Sequence, residues 1–169
     1  LIDMLTFGRD NFDKSISLTT KKVEFNTRWQ KVRLGDITII QSGNSAPHGE
    51  DKFINGTYPF FRTSDVAKEH LTNNLTKADS YLNEKGTKGL RLFKKGSILF
   101  PKSGVSTYLD HRALMGVDGY VVSHLAVITI KDPDIIIPKY LYEISTIIKS
   151  KDIKQSSGYP SLNERDISS

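Results

Sequence analysis

Between positions 85 and 112, seven basic side chains (Lys85, Lys88, Arg91, Lys94, Lys95, Lys102 and Arg112) meet a single acid, Asp110. This window carries six net positive charges, more than the +5 of all 169 residues, in which 24 Lys and Arg face 19 Asp and Glu. Gly86, Gly89, Gly96 and Gly104 separate the bases, with Ser and Thr hydroxyls among them. Such a mixture suits loops that approach phosphates, because glycine lets backbone N–H groups come close to an anion. A solvated charged face accounts for the charge equally well.

Side chains able to bind metal or carry out covalent chemistry are present but not arranged for it. The four histidines, His48, His70, His111 and His124, show no i, i+4 pair. With no H-E-x-x-H and no cysteine partner, they do not form a zinc pattern. His124 falls inside an apolar run and reads as a hydrogen-bonded core histidine, whereas His111, beside Arg112, is the better candidate to face a ligand. Gly86-Thr87-Lys88-Gly89 has the residue types of a phosphate loop without its spacing, and no G-x-G-x-x-G is present. Ser103, in Lys102-Ser103-Gly104, lacks the G-x-S-x-G setting; a serine nucleophile also needs a base and a group to orient that base. Pro133-Asp134 followed by Asp152-Ile153-Lys154 formally satisfies the Pro-Asp…Asp-x-Lys pattern of metal-dependent nucleases. The residues between read as a strong helix, however, whereas shared metal ligation in that motif needs its acids on paired strands. No catalytic residue and no metal ligand is assigned.

Composition sets the outer bounds. A hydrophobic fraction of 37%, with 8 Phe, 7 Tyr and 1 Trp, is enough for a packed core in one ordinary domain. The absence of cysteine excludes disulfides and thiolate metal sites and is compatible with a reducing, cytoplasmic setting. The densest apolar run, 121–130, is interrupted by Ser123, His124 and Thr129, so no membrane-spanning segment is expected. A chain that starts at Leu1 and stops at Ser169 in mid-pattern reads as part of something longer.

The elements that must position these residues are mixed. Residues 1–28 read as an arm or linker, with Leu1-Ile2-Asp3-Met4-Leu5 as the end of a helix, and the domain proper occupies 29–169. Leu34-Gly35-Asp36-Ile37 is a turn leading into a short β-branched run, and 42–56 is a loop. Tyr58-Pro59-Phe60-Phe61-Arg62 reads as a strand whose proline places it at an edge or a strand start. Thr63-Ser64-Asp65 offers capping side chains to a short helix over 66–71. Ser97-Ile98-Leu99-Phe100 is a short buried strand, and 120–130 is the most convincing strand. Pro138 opens a helix on which Tyr140, Leu141, Ile144, Ile147 and Ile148 recur at three- and four-residue spacing. The sum is an α+β (mixed α/β) domain, strand-rich and irregular, with long loops.

Four ordered stretches carry a family likeness. These are Trp29-Gln30-Lys31-Val32-Arg33-Leu34-Gly35-Asp36-Ile37, Tyr58-Pro59-Phe60-Phe61-Arg62-Thr63-Ser64-Asp65-Val66, Gly96-Ser97-Ile98-Leu99-Phe100-Pro101-Lys102-Ser103-Gly104 and Tyr159-Pro160-Ser161-Leu162-Asn163-Glu164-Arg165-Asp166-Ile167. In this order, residues 29–167 resemble the target-recognition domain of type I restriction–modification specificity subunits. The chain departs from that family in holding one such domain where specificity subunits hold two, separated by long helices. Residues 1–28, including Lys14-Ser15-Ile16-Ser17-Leu18, look more like the tail of an adenine-N6 methyltransferase fused to a recognition domain. The catalytic Asn-Pro-Pro-Tyr-type motif and the glycine-rich cofactor loop of such enzymes are absent.

The resemblance implies a non-catalytic reader of double-stranded DNA, built of loops on a strand scaffold. It acts with a methyltransferase, fused or separate, and with a restriction subunit where one is present. S-adenosylmethionine is expected on that methyltransferase and not on this segment. The loops expected to face DNA are 43–57, 86–92, 101–112 and 151–158. Asn44, Arg91, His111, Arg112 and Gln155 have side chains suited to base edges, arginine to guanine and Asn or Gln to adenine. Lys88, Lys102, Ser103, Lys154 and Ser156 are the candidates for phosphates. Gly35, Asp36, Arg62, Asp65, Gly96, Gly104 and Asp166 are expected to hold the scaffold. The rival implication is a protein-docking module of the same assembly with little DNA specificity of its own.

Overall fold

The computed structural model describes residues 4–6, 30–72, 74–153 and 162–168. Gln155, Lys154 and Ser156 lie outside the described residues.

Nine strands and six helices follow one another through these segments. Met4–Thr6 (β1) pairs antiparallel with Gln30–Val32 (β2), so the expected helix end at the start of the chain is a strand instead. A single helical turn, Leu34–Ile37 (α1), feeds Thr38–Ser42 (β3). Tyr58–Phe61 (β4) is followed by Thr63–Glu69 (α2), Tyr81–Leu82 (β5) and Glu84–Thr87 (α3). Ile98–Pro101 (β6), Ala113–Leu114 (β7), Tyr120–Val121 (β8) and Leu125–Ile130 (β9) come next. Pro138–Ile147 (α4), Ser150–Ile153 (α5) and Glu164–Ser168 (α6) close the described chain.

The centre is a four-stranded sheet in the order β3-β9-β6-β7, antiparallel throughout. Alternation along its inner strands explains the layers. Ile98 and Phe100 of β6, with Ala126 and Ile128 of β9, pack with Leu34 and Ile37 of α1, Leu141 and Tyr142 of α4 and Ile167 of α6. Leu99, Leu125 and Val127 point the other way, against Phe60, Phe61, Val66, Leu82, Phe93 and Val121. All four residues of β6 are buried, so the strand reads as a continuous apolar run, not as an alternation of apolar and polar residues. Each fully buried Leu, Ile or Phe contributes about 1.5–3 kcal/mol, and the two cores together fix the sheet from both faces.

A second sheet, β5-β4-β8, covers the latter core. Its middle strand is β4, antiparallel to β5 and parallel to β8. The edge position expected from Pro59 is therefore corrected, while the strand-start position holds. Pro59 pairs with Tyr81 of β5, and pairing with β8 begins only at Phe60, beyond the residue that lacks an N–H.

The single strand expected over 120–130 is two. Leu125 N donates to Val122 O at 3.0 Å, closing a turn between β8 and β9 that passes the chain from one sheet to the other. His124 sits in this turn and is exposed, so it is not the core histidine the apolar run suggested. Helix α4 begins at Pro138 as expected and buries Leu141 and Tyr142, but Ile147, expected on its apolar stripe, is 75% exposed at its last turn. Among the described residues no helix is long and apolar enough to cross a membrane.

Candidate nucleic-acid interface

One end of the four-stranded sheet gathers polar side chains from four segments distant in sequence. Strand β3 leaves the sheet at Ser42, and Gly43 N then donates to Leu125 O at 2.9 Å. A Cβ on Gly43 would collide with the carbonyls of Val121 and Val122, so glycine is what lets this exit lie against the β8–β9 turn. Asn44 N next donates to Val121 O at 2.6 Å. Across the turn, Lys102 N donates to His124 O at 3.0 Å where β6 ends, and Leu162 N donates to Lys102 O at 2.7 Å. Ser42 N and Oγ both donate to the Glu164 carboxylate at 2.8 Å, tying α6 to the same end.

On this frame Asn44 meets Arg91. The Asn44 amide accepts from Arg91 N at 2.7 Å and donates to Arg91 O at 2.9 Å. Its amide N–H₂ also lies 3.4 Å from Val121 O. An amide committed to backbone in this way is not available for a base edge, so Asn44 is corrected from reader to holder of the Arg91 loop. Arg91 itself is exposed, as is Lys88 in the same loop, and neither has an ion pair among the described residues. Lys102 is half-buried and likewise unpaired among the described residues.

Ser103 lies beside Lys102, and its Oγ is 2.7 Å from Nδ1 of His124. The chain turns at Gly104 with φ +74°, a conformation that L side chains rarely adopt. The Ser–His spacing is that of a nucleophile and base, but the edge of the ring is wrong for it. In hydrolytic triads the serine meets Nε2 and a carboxylate orients Nδ1. Here the serine occupies Nδ1, and no carboxylate bonds the ring among the described residues.

Arg112 is the clearest correction. It was expected on the DNA-facing surface, yet it is fully buried, its guanidinium 3.3 Å from the centre of the Phe100 ring. Nη1 donates to His111 O at 2.7 Å, and Nη2 to Ile148 O at 3.1 Å and Ser150 Oγ at 3.4 Å. Asp110, 3.8 Å away, supplies the counter-charge. Burial pushes the guanidinium down to about 10, opposed by Asp110, and it remains charged at neutral pH. Seven mostly polar residues separate Lys102 from Asp110, and nothing in the sequence distinguishes this arginine from its exposed neighbours. His111 packs against His70 with ring centroids 4.8 Å apart and planes tilted by 38°, and His70 Nδ1 accepts from Arg112 N at 3.1 Å. His111 is half-buried at this packed corner.

With the geometry in place, comparison with known proteins decides the family. The family model for the type I restriction modification DNA specificity domain matches residues 26–169. The chain belongs to this family. The type I restriction enzyme MjaIX specificity subunit of Methanocaldococcus jannaschii is 34% identical over 103 residues, 59% of this chain and 23% of that protein. Among solved structures, the HsdS subunit of Thermoanaerobacter tengcongensis shares the fold with a TM-score of 0.60 at 15% identity, over 86% of this chain and 32% of that one. The S subunit of a type I system from M. genitalium matches with a TM-score of 0.54 at 16% identity, over 81% of this chain and 32% of that one. The chain thus spans about a quarter to a third of the length of these specificity subunits. The mixed sheet-and-helix architecture is the one they share.

Within this specificity domain the scaffold residues perform recognisable tasks. Asp65 and Asp166 both stand at the third position of a helix and reach back to its start. Asp65 accepts from Arg62 N at 2.7 Å, and Asp166 accepts from Asn163 N at 2.9 Å while donating its own N–H to Asn163 Oδ1. Asp65 also accepts from Asp79 N at 2.9 Å, which ties α2 to the segment before β5. The Arg62 guanidinium lies 5.4 Å from the Phe60 ring centre and 5.9 Å from that of Phe53. The carbonyls of Gly35 and Asp36 both accept from Lys131 Nζ, at 2.8 and 3.0 Å, locking α1 to the end of β9. Gly96 N donates to Met115 O at 2.8 Å beside β7. His124 is an exposed side chain of this end that the sequence did not reveal: only the turn between β8 and β9 takes it out of the core, and Ser123-His124 is the single polar pair in 120–130 that marks that turn.

Proposed function

We propose that this chain is a non-catalytic module that recognises a short sequence in double-stranded DNA and directs an adenine-N6 methyltransferase, fused or separate, to it. The observation that carries the reading is the hydrogen-bonded line Arg91–Asn44–(β8–β9 turn)–His124–Ser103–Lys102, flanked by Lys88, on a domain of the DNA specificity family. Cations at the ends of this line suit phosphates, and the exposed His124 with Ser103 between them suits base edges, while Asn44 holds the Arg91 loop in place. S-adenosylmethionine belongs to the methyltransferase, and a restriction subunit completes the assembly where cleavage occurs.

Selection from a randomised duplex pool, read at low and moderate salt, tests the proposal. Released counterions make affinity fall with salt by a log–log slope of about 0.9 per phosphate contacted. Enrichment of a short motif together with that slope supports the reading. Unselective, salt-insensitive binding ends it.

A docking role for another surface draws on separate residues. Ile137 and Ile147, at the two ends of α4, are 62% and 75% exposed. Replacing both by serine with no loss of duplex binding, but with loss of methyltransferase capture, would place assembly on α4 and DNA on the sheet end.

A further inference from the structure

We infer that His124 is a base-reading side chain of this domain and that Ser103 is the residue that positions it. The inference rests on the DNA-recognition reading above and adds a specificity determinant to it.

The residue is held at two points, its backbone at one and its ring at the other. Its backbone carbonyl accepts from Lys102 N at 3.0 Å, and its Nδ1 shares a 2.7 Å hydrogen bond with Ser103 Oγ. Ser103 is itself braced, because its carbonyl accepts from Ser106 Oγ at 3.0 Å. The residue is exposed in the turn between β8 and β9, and Nε2 has no partner among the described residues. The hydrogen bond from Nδ1 to Ser103 Oγ limits rotation of the exposed ring, and which of the two atoms donates sets the tautomer. Nε2 then presents one defined group outward. It is a donor when Ser103 Oγ–H donates to Nδ1, and an acceptor when Nδ1–H donates to Ser103 Oγ. A donor suits purine N7 or guanine O6, and an acceptor suits the exocyclic amine of adenine or cytosine.

Location separates base reading from simple attraction to phosphate. Lys102, next in the chain to Ser103, already supplies the flexible cation on this side, and Arg91 supplies one on the other side of the turn. A ring pinned between them gains little as a point charge. The bond to Ser103 lowers the ordering cost that a free side chain would bear on binding, which favours a directional contact.

The test is motif selection with the 169-residue chain and its variants His124→Ala, His124→Gln, His124→Asn and Ser103→Ala, each checked for an unchanged thermal midpoint. The glutamine amide reaches about as far as Nε2, and the asparagine amide only as far as Nδ1. His124→Ala is expected to flatten one base-pair column of the enriched motif by roughly five- to tenfold, the worth of one hydrogen bond, leaving the other columns intact. His124→Gln should retain preference at that column, His124→Asn should not, and Ser103→Ala should weaken it less than His124→Ala. The inference is overturned if every column survives His124→Ala, or if all fall together as for a lost phosphate contact. A wild-type chain that enriches no motif removes the DNA reading as well, whereas a wild-type motif indifferent to His124 removes this inference alone.

Discussion

Asn44 and Arg91, 47 positions apart, exchange two hydrogen bonds: Arg91 N donates to Asn44 Oδ1 at 2.7 Å, and Asn44 Nδ2 donates to Arg91 O at 2.9 Å. One amide thereby stands in for a stretch of β-ladder and clips the glycine-containing loop of Lys88 and Arg91 to the exit of β3. The backbone of Arg91 is held beside the β8–β9 turn, and its exposed side chain is left free of this contact.

Disrupting this clip should act through Arg91. Asn44→Ala is expected to cost about 1–2 kcal/mol of stability for the two lost bonds. It should weaken duplex binding by about as much as Arg91→Ala, and the double variant should be little worse than either single one. Additive losses in the double-mutant cycle would mean that Asn44 touches DNA on its own account.

Lys102 and Arg112 separate surface from core. Lys102→Ala should lower affinity uniformly across sequences and reduce the log–log salt slope by about one, with stability unchanged. Arg112→Ala should instead lose about 3–5 kcal/mol in urea denaturation, because it leaves two backbone carbonyls and the Phe100 face without their partner and removes one of the cations beside Asp110. An Arg112→Ala protein of normal stability that fails only to bind duplex would refute the buried assignment.

Gly43 has no freedom to become alanine, because the atoms its Cβ would strike are the backbone carbonyls of Val121 and Val122. Gly43→Ala should cost about 1–3 kcal/mol and displace Asn44, so that thermal midpoint and duplex affinity fall together. Full affinity at a normal midpoint would show that β3 leaves the sheet differently.

Acid should loosen the His70–His111 corner. Burial, followed by the charges of His70 and Arg112, holds the His111 imidazole below its ordinary 6.5, against the opposing pull of Asp110. The unfolded chain therefore takes up this proton first as pH falls. Stability from this group is complete above the unfolded value and is lost as pH descends through the folded one. Thermal midpoints measured from about pH 7.5 down to about pH 5 should fall in wild type and fall less in His111→Gln. Identical slopes in the two proteins would remove His111 from the account.

The chemistry of the strands and caps was legible in the residues themselves. Pro138 opening a helix and the apolar run of β6 were legible because each depends on neighbours within a few positions, whereas the helix expected over 66–71 begins at Thr63, with Arg62 at its N-cap and Asp65 inside the first turn. Asp65 needs only the N–H of Arg62, three residues back, and Asp166 only that of Asn163. The family likeness rested on the same local stretches. Burial of single polar side chains was not legible. Arg112 and Arg91 sit in one basic window with the same residue type, yet one lies on Phe100 in the core and the other on the surface. That difference is set by the residues that return from 36 to 38 positions later, Ile148 and Ser150. His124 reversed in the same way, because hydrophobicity continues across 120–130 while the chain changes sheets. Local pattern determines which elements form. Only the packing of distant segments decides which polar groups are left facing solvent, because that choice depends on partners the neighbouring sequence does not contain.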